Sequence, residues 1–283
     1  MNRRAAEETF FKALMGISAL AIVAALLGIV GTVLWKGLPT MNLDMVTKTP
    51  TGAFHLGGAG GVLNAIVGSL CLAGGATVVS ACLALPIVMG LNVYSRRASR
   101  LVTFTRFSMD VLAGVPSIVF GAVGYILMRL LGLPASLLVG IIVVSLLILP
   151  IMIKAMDEMV RLVPAEMAEA SAALGATRLE TAFRVVARQA LPGLATAVLI
   201  AFGRGVGDAA SVLFTAGFND RLPDSLGSEA ATLPLMIFHQ YNSPFPDVQN
   251  RAYASALILM VIILAVSVTA RILTRRLSRH SIR

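Results

Sequence analysis

The chain has 283 residues, of which 57% are hydrophobic and 13% charged, with a mean hydropathy of +0.86. Soluble domains carry about 25% charged residues, so this composition excludes an ordinary soluble globule and specifies an integral membrane protein. The formal net charge of +9 does not imply nucleic acid as a partner. The basic residues lie between apolar runs, where they set orientation in a lipid bilayer.

Six stretches, 13–35, 62–94, 111–131, 135–154, 192–213 and 252–273, are each near or above the roughly 20 residues that cross a bilayer. The first exceeds the ~7–15 apolar residues of a signal-peptide core and is expected to be retained. The outer loop 36–61 ends in Gly57, Gly58, Gly60 and Gly61 and reads as a flexible connector. The second span is long enough to leave the bilayer or tilt strongly, and Pro86 is placed to kink it. Cys71 and Cys82 lie on this span, roughly 16 Å apart along a helix. That is too far for a disulfide, and both are expected to be small packing residues.

The third span carries Gly114, Pro116 and Ser117 near its start. Gly and Pro bend or unwind a spanning helix, and a serine hydroxyl can satisfy the freed backbone. A broken helix lining a path and a kink set only by packing are both compatible with this pattern. Asp110, just before it, is expected to cap the helix or pair with a loop arginine.

Between the fourth and fifth spans lies a polar island, Pro164 to Gly175, continuing into Thr177 and Glu180. Pro164 suits the first position of a helix. Glu166 and Glu169 lie in the first turns, where the helix dipole favours carboxylates. Gly175 can take the left-handed conformation that ends a helix. Thr177 and Glu180 have capping-box spacing, so the loop reads as helix, tight turn, helix. Met167, Ala170, Ala173 and Leu174 recur at helical spacing as an apolar stripe. An interfacial helix on anionic lipid would be rich in Lys and Arg. This stretch has two acids and no base, which favours docking by a soluble protein.

The fifth span contains Arg204, near its middle, and Asp208 four residues on. An arginine at the bilayer centre costs at least ~2.5 kcal/mol, so it should face protein or a watery path. Either the pair is a structural staple, or the arginine is a transient anion site. Its planar fork donates two parallel hydrogen bonds to an oxyanion such as phosphate. Asp208 could temper the attraction or accept a proton-bearing oxygen. Gly203 and Gly207 have the spacing that admits a second helix closely.

Within the outer loop 214–251, residues 231–241 are apolar but too short to span. They suit a re-entrant element or a covered loop. His55, His239 and His280 are expected at the surface. No Cys/His cluster has metal-ligand spacing, no P-loop motif is present, and no cofactor is called for. Seventeen Lys and Arg fall on the side that includes both termini and the polar island, five on the other and Arg204 in a span. This bias places both termini in the cytoplasm.

The run Val163 to Thr177 is similar to the coupling loop of bacterial ABC importer permeases, the helix gripped by a cytoplasmic ATPase. A Leu-Pro pair common in that family is replaced here by Ala187-Arg188, while Leu191-Pro192 is present. Three segments resemble the A-type membrane subunit of the phosphate importer family, the Pst system. They are Gly114-Val-Pro-Ser-Ile118 with Phe120-Gly121, Arg204 through Gly207-Asp208, and Leu233-Pro-Leu-Met-Ile-Phe238. The resemblance covers most of the chain from about Gly61. Where the family usually has Glu-Thr-Ala, this chain has Asp208-Ala209-Ala210.

The resemblance implies an all-α integral membrane protein with six transmembrane helices, a type I-like ABC importer permease fold and a cytoplasmic coupling helix. It divides into 1–12, a cytoplasmic segment; 13–61, first span and outer loop; 62–273, a five-helix core with coupling loop 155–191; and 274–283, a basic tail. It also implies a location in the bacterial inner membrane and no enzymatic site in this chain. The implied partners are a second permease subunit, two copies of an ATPase and a periplasmic phosphate-binding protein. Pro164, Glu166, Glu169, Ala170, Ser171 and Gly175 would meet the ATPase. Arg204 and Asp208 would line the path, and Gly114, Pro116 and Ser117 would form its helix break. The competing readings are a permease for another oxyanion, an ATP-independent anion transporter or channel, and a non-transporting scaffold.

Overall fold

The computed structural model describes residues 3–52, 58–95 and 99–277, and every regular element among them is helical. Hydrocarbon offers no hydrogen-bond partner, so an apolar run satisfies its backbone internally as a helix. In chain order the elements are α1 (Arg3–Gly37), α2 (Leu43–Thr47), α3 (Leu63–Met89), α4 (Arg100–Ala113), α5 (Ser117–Leu130) and α6 (Leu137–Arg161). They continue with α7 (Ala165–Ala173), α8 (Arg178–Glu180), α9 (Ala187–Val206), α10 (Leu233–Tyr241) and α11 (Pro246–Leu277). Among the described residues five helices are long and apolar enough to cross a membrane, and a sixth crossing exists if α4 and α5 count as one bent span.

The core is the three-helix contact of α3, α6 and α9. Leu72, Ala76, Ala84 and Val88 meet Val144, Ile148 and Met152, with Ala197 and Ala201 closing the third side. Alanines of α3 and α9 let the helices approach closely, since lipid provides no hydrophobic drive between helices and they associate by close packing instead. Around this core, α11 packs on α9 and α10, α1 on α11, and α4 and α5 on α6. Cys71 and Cys82 are both exposed. They point away from the core, against the expectation of packing residues, because the opposite face of α3 carries the buried alanines.

Two of the spans differ from expectation. The third predicted span is two helices that meet at 96°. Pro116 has no N–H and disfavours helical backbone at Val115, so α4 stops at Ala113. Ser117 does not cap the new helix, which has no side-chain cap. Asp110 lies near the end of α4 and pairs with Lys154 of α6 at 2.8 Å, not with a loop arginine. The fifth predicted span starts earlier and ends sooner than 192–213. Helix runs from Arg178, through a π-helical stretch Thr181–Val186, to Val206, with Pro192 inside it. Glycines at 203, 205 and 207 weaken helix propensity, and residues 207–216 continue as turns.

The apolar stretch 231–241, expected as a re-entrant element or a covered loop, contains a short packed helix. This is α10, whose first turn (Leu233, Pro234, Leu235 and Met236) is buried. The Ser69 hydroxyl on α3 accepts from Leu233 N–H at 2.8 Å. A side chain remote in sequence thus satisfies one of the orphan donors at this helix start. The glycine-rich end of loop 36–61 is not a simple tether. Gly57 lies outside the described residues, but a Cβ at Gly61 would collide with the carbonyls of Asp44, Met45 and Lys48. Glycine is needed there for close backbone approach to α2.

Candidate functional site

The polar island folds as a hairpin at one end of the bundle. Pro164 precedes the first helical residue of α7, with φ −56 and ψ 134, one position earlier than expected. Glu166, Glu169, Ala170, Ala173 and Gly175 are exposed. Gly175 has φ +80. Its N–H donates to Ala172 O and that of Ala176 to Ser171 O, the paired bonds of a Schellman ending. Thr177 and Glu180 then form a complete capping box. The chain reverses direction within four residues and re-enters the bundle as α8, the π-helical stretch and α9.

Two expectations for this hairpin change. The stripe of Met167, Ala170, Ala173 and Leu174 does not share one environment. Met167 and Ala168 pack on the core, while Ala170 and Ala173 face outward. Leu174 is 90% exposed. Ser171 is buried, and its hydroxyl lies 3.0 Å from that of Thr181. It ties the two arms of the hairpin together and does not present itself to a partner. The outward face is therefore Glu166, Glu169, Ala170, Ala173, Leu174 and Gly175. Leu174 is thus an uncovered apolar side chain on a face that also carries Glu166 and Glu169.

Arg204 lies in the last turn of α9, about 39 Å along the helix from Arg178 at 1.5 Å per residue. That is the far end of the helix, but the neighbouring Gly205 packs against Ala73 and Val144, well inside α3 and α6. The Arg204 cation complements the helix C-terminus. Asp208 lies beyond the helix end, and its Oδ1 is 3.5 Å from Arg204 Nη1. The other oxygen, Oδ2, accepts from the Ser211 N–H at 2.9 Å and from the Ser211 hydroxyl. The two side chains differ sharply in exposure, 44% for Arg204 and 3% for Asp208. The buried carboxylate is an anchor: it braces the turn after α9 and holds the base of the arginine fork. Its oxygens face Ser211 and Arg204, and the guanidinium is the accessible member of the pair.

Among the described residues, little covers the face of Gly203 and Gly207 beside Arg204. A Cβ at Gly203 would meet nothing within 4 Å, and one at Gly207 would only touch Gly203 O and Ile263 at 3.6 and 3.9 Å. The turn behind it is tightly held. A Cβ at Gly121 of α5 would sit 2.8 Å from Ala210 O and 2.9 Å from Ser211 O. The segment after the bend in the third span is thereby packed directly against the turn that positions Asp208. Gly114, Pro116 and Ser117 themselves are at the bend, with Gly114 and Pro116 exposed and Ser117 half-buried.

Residues 82–279 match the family described as the inner membrane component of binding-protein-dependent transport systems. The chain belongs to this family. Such an inner membrane component is a multi-pass membrane protein and has no bond chemistry of its own. Among similar sequences is a phosphate transport system permease protein PstA of Haemophilus influenzae, 31% identical over 94% of each chain. PstA of Xylella fastidiosa is 34% identical over 96% of this chain and 97% of its own length. PstA 1 of Mycobacterium tuberculosis is 37% identical over 75% of this chain and 70% of its own. Among solved structures, a chain of the MetNI methionine ABC transporter in an inward-facing conformation superposes with a TM-score of 0.61. It covers 76% of this chain and 95% of that one at 19% identity, a likeness of fold.

For this inner membrane component, sequence reasoning missed Leu174 as an exposed side chain and Ser211 as the partner of Asp208. Leu174 sits at the helix C-cap, where the side chain no longer follows the periodicity of α7. Ser211 had a visible signal, since an Asp three residues before a Ser after a glycine-rich helix end suits a side-chain-closed turn.

Proposed function

We propose that this chain is the membrane-spanning permease subunit of an ATP-driven inorganic phosphate importer. The observation that carries the proposal is similarity to PstA permeases over nearly the whole chain, joined to a half-exposed arginine fork beside the little-covered face of Gly203 and Gly207. Both termini and the α7 hairpin lie in the cytoplasm, in keeping with the bias of Lys and Arg. A second permease covers the Gly203–Gly207 face, so that Arg204 lines a path between the two subunits. Two ATPase copies grip the paired hairpins, Leu174 and the two glutamates meeting the motor. A periplasmic binding protein delivers the anion to the opposite face.

In this mechanism the arginine fork receives one oxyanion edge by two parallel hydrogen bonds. Asp208 keeps the fork oriented and limits the net positive charge, so that the anion is held weakly enough to leave. ATP binding closes the motors, draws the hairpins together and rocks the spans, turning the arginine face from one side of the membrane to the other. The test is uptake of radiolabelled phosphate into liposomes containing the full assembly. Uptake should require ATP and binding protein and should resist excess sulfate. Uptake driven by an ion gradient without ATP would mean a secondary transporter, and equal competition by sulfate would mean a general oxyanion permease.

A further inference from the structure

Asp157 is a buried carboxylate, 6% exposed, in the last two turns of α6. A buried charge is tolerated only when paired and hydrogen-bonded, and this one is fully engaged. Arg106 of α4 donates to it through Nε at 2.9 Å and Nη2 at 3.0 Å. Asn92 Nδ2 donates to the same carboxylate at 2.6 Å, and Arg106 Nη2 also reaches Asn92 Oδ1 at 3.5 Å. Asn92 belongs to a π-helical stretch, Gly90–Tyr94, that ends the second span. Three elements thus meet on one carboxylate.

The same stretch touches the hairpin. Tyr94 O accepts from Arg178 Nη1 at 3.3 Å, and Arg178 opens the arm that returns from α7. A second π-helical stretch, Thr181–Val186, follows in that arm and holds α7 through the contact of Thr181 with Ser171. Single π-helical turns recur at functional positions because they are easily reshaped. On the other side, Arg106 sits on α4, which leads directly to the 96° bend and α5.

We infer that Arg106, Asn92 and Asp157 form a positioning clamp that carries the movement of the α7 hairpin to α4 and the bend in the third span. The inference rests on the hairpin being the ATPase contact. The neighbouring pair of Lys154 and Asp110 also joins α6 to α4, at 2.8 Å, but both side chains are more than half exposed. Such pairs contribute little, which makes this one a control in the same place.

The experiment compares wild type, Arg106→Lys, Asn92→Ala and Asp110→Asn in liposomes with the ATPase, second permease and binding protein. Arg106→Lys keeps the charge and removes the fork. In both clamp variants the assembled amount and basal ATP hydrolysis should stay near wild type. Phosphate taken up per ATP should fall about tenfold, within the range expected for a coupled network, and Asp110→Asn should stay within about twofold. Uptake per ATP equal to wild type in Arg106→Lys overturns the clamp. So does a proportionate fall of assembly, hydrolysis and uptake, which would mark a mere staple. If wild type hydrolyses ATP in response to binding protein but takes up no phosphate, the substrate reading fails alone. The clamp is then judged by that response, and an undiminished response in Arg106→Lys refutes it.

Discussion

Arg204 and Asp208 show how exposure assigns different work to two charges of one pair. The aspartate is buried and shared between Ser211 and the arginine, whereas the guanidinium is nearly half exposed. Arg204→Ala should therefore abolish phosphate uptake while leaving membrane insertion intact. Arg204→Lys should reduce uptake by about tenfold or more, because a point charge replaces a bidentate fork. Both are read from uptake set against the amount of assembled complex. Wild-type uptake by the alanine variant would remove Arg204 from the path. Asp208→Asn should impair uptake less than Arg204→Ala does. An amide of the same shape still accepts from Ser211 but leaves the arginine charge untempered, so phosphate should be held longer and the maximal rate should fall more than the apparent affinity.

Among the elements, the hairpin and the bent span each depend on one glycine. Gly175 has φ +80, and a side chain there costs roughly 1–2 kcal/mol of backbone strain. Gly175→Val should displace Leu174 and lower ATPase association, seen as loss of the motor on co-purification. Glu169→Lys and Leu174→Asp should have the same result without touching the fold of the bundle, since both side chains are exposed. Undiminished ATP-driven uptake in Leu174→Asp would argue that this face docks nothing. Gly121→Leu acts from the other side. Its side chain would collide with the carbonyls of Ala210 and Ser211, shift the turn that carries Asp208 and lower uptake, while α5 itself gains helix propensity.

At the scale of the molecule, the chain exposes long apolar helices to lipid and one small-residue face that carries a charge. Gly203→Leu tests what covers that face. Among the described residues nothing lies within 4 Å of the added Cβ, and leucine favours helix over glycine by close to 1 kcal/mol, so the subunit should insert normally. Recovery of the second permease on affinity purification should drop sharply if that subunit packs against α9. Full recovery would place the partner interface elsewhere.

Hydropathy, charge bias and cap signals by themselves determined the membrane class, five of the six crossings, the hairpin with its Gly175 stop and Thr177 cap, and the oddity of Arg204. These features are local, since a span is read from its own composition and a cap from residues within one turn. Tertiary structure alone decided the rest. Gly121, just past the bend, seats against the distant turn of Ala210 and Ser211. The burial of Ser171 depends on Thr181 across the hairpin, and the place of α10 on Ser69 of another helix. Asp157 finds Arg106 fifty-one residues away, a pairing that no window of sequence contains. A side chain's neighbours along the chain set its propensity, but its burial and its partners come from helices brought beside it only when the bundle closes.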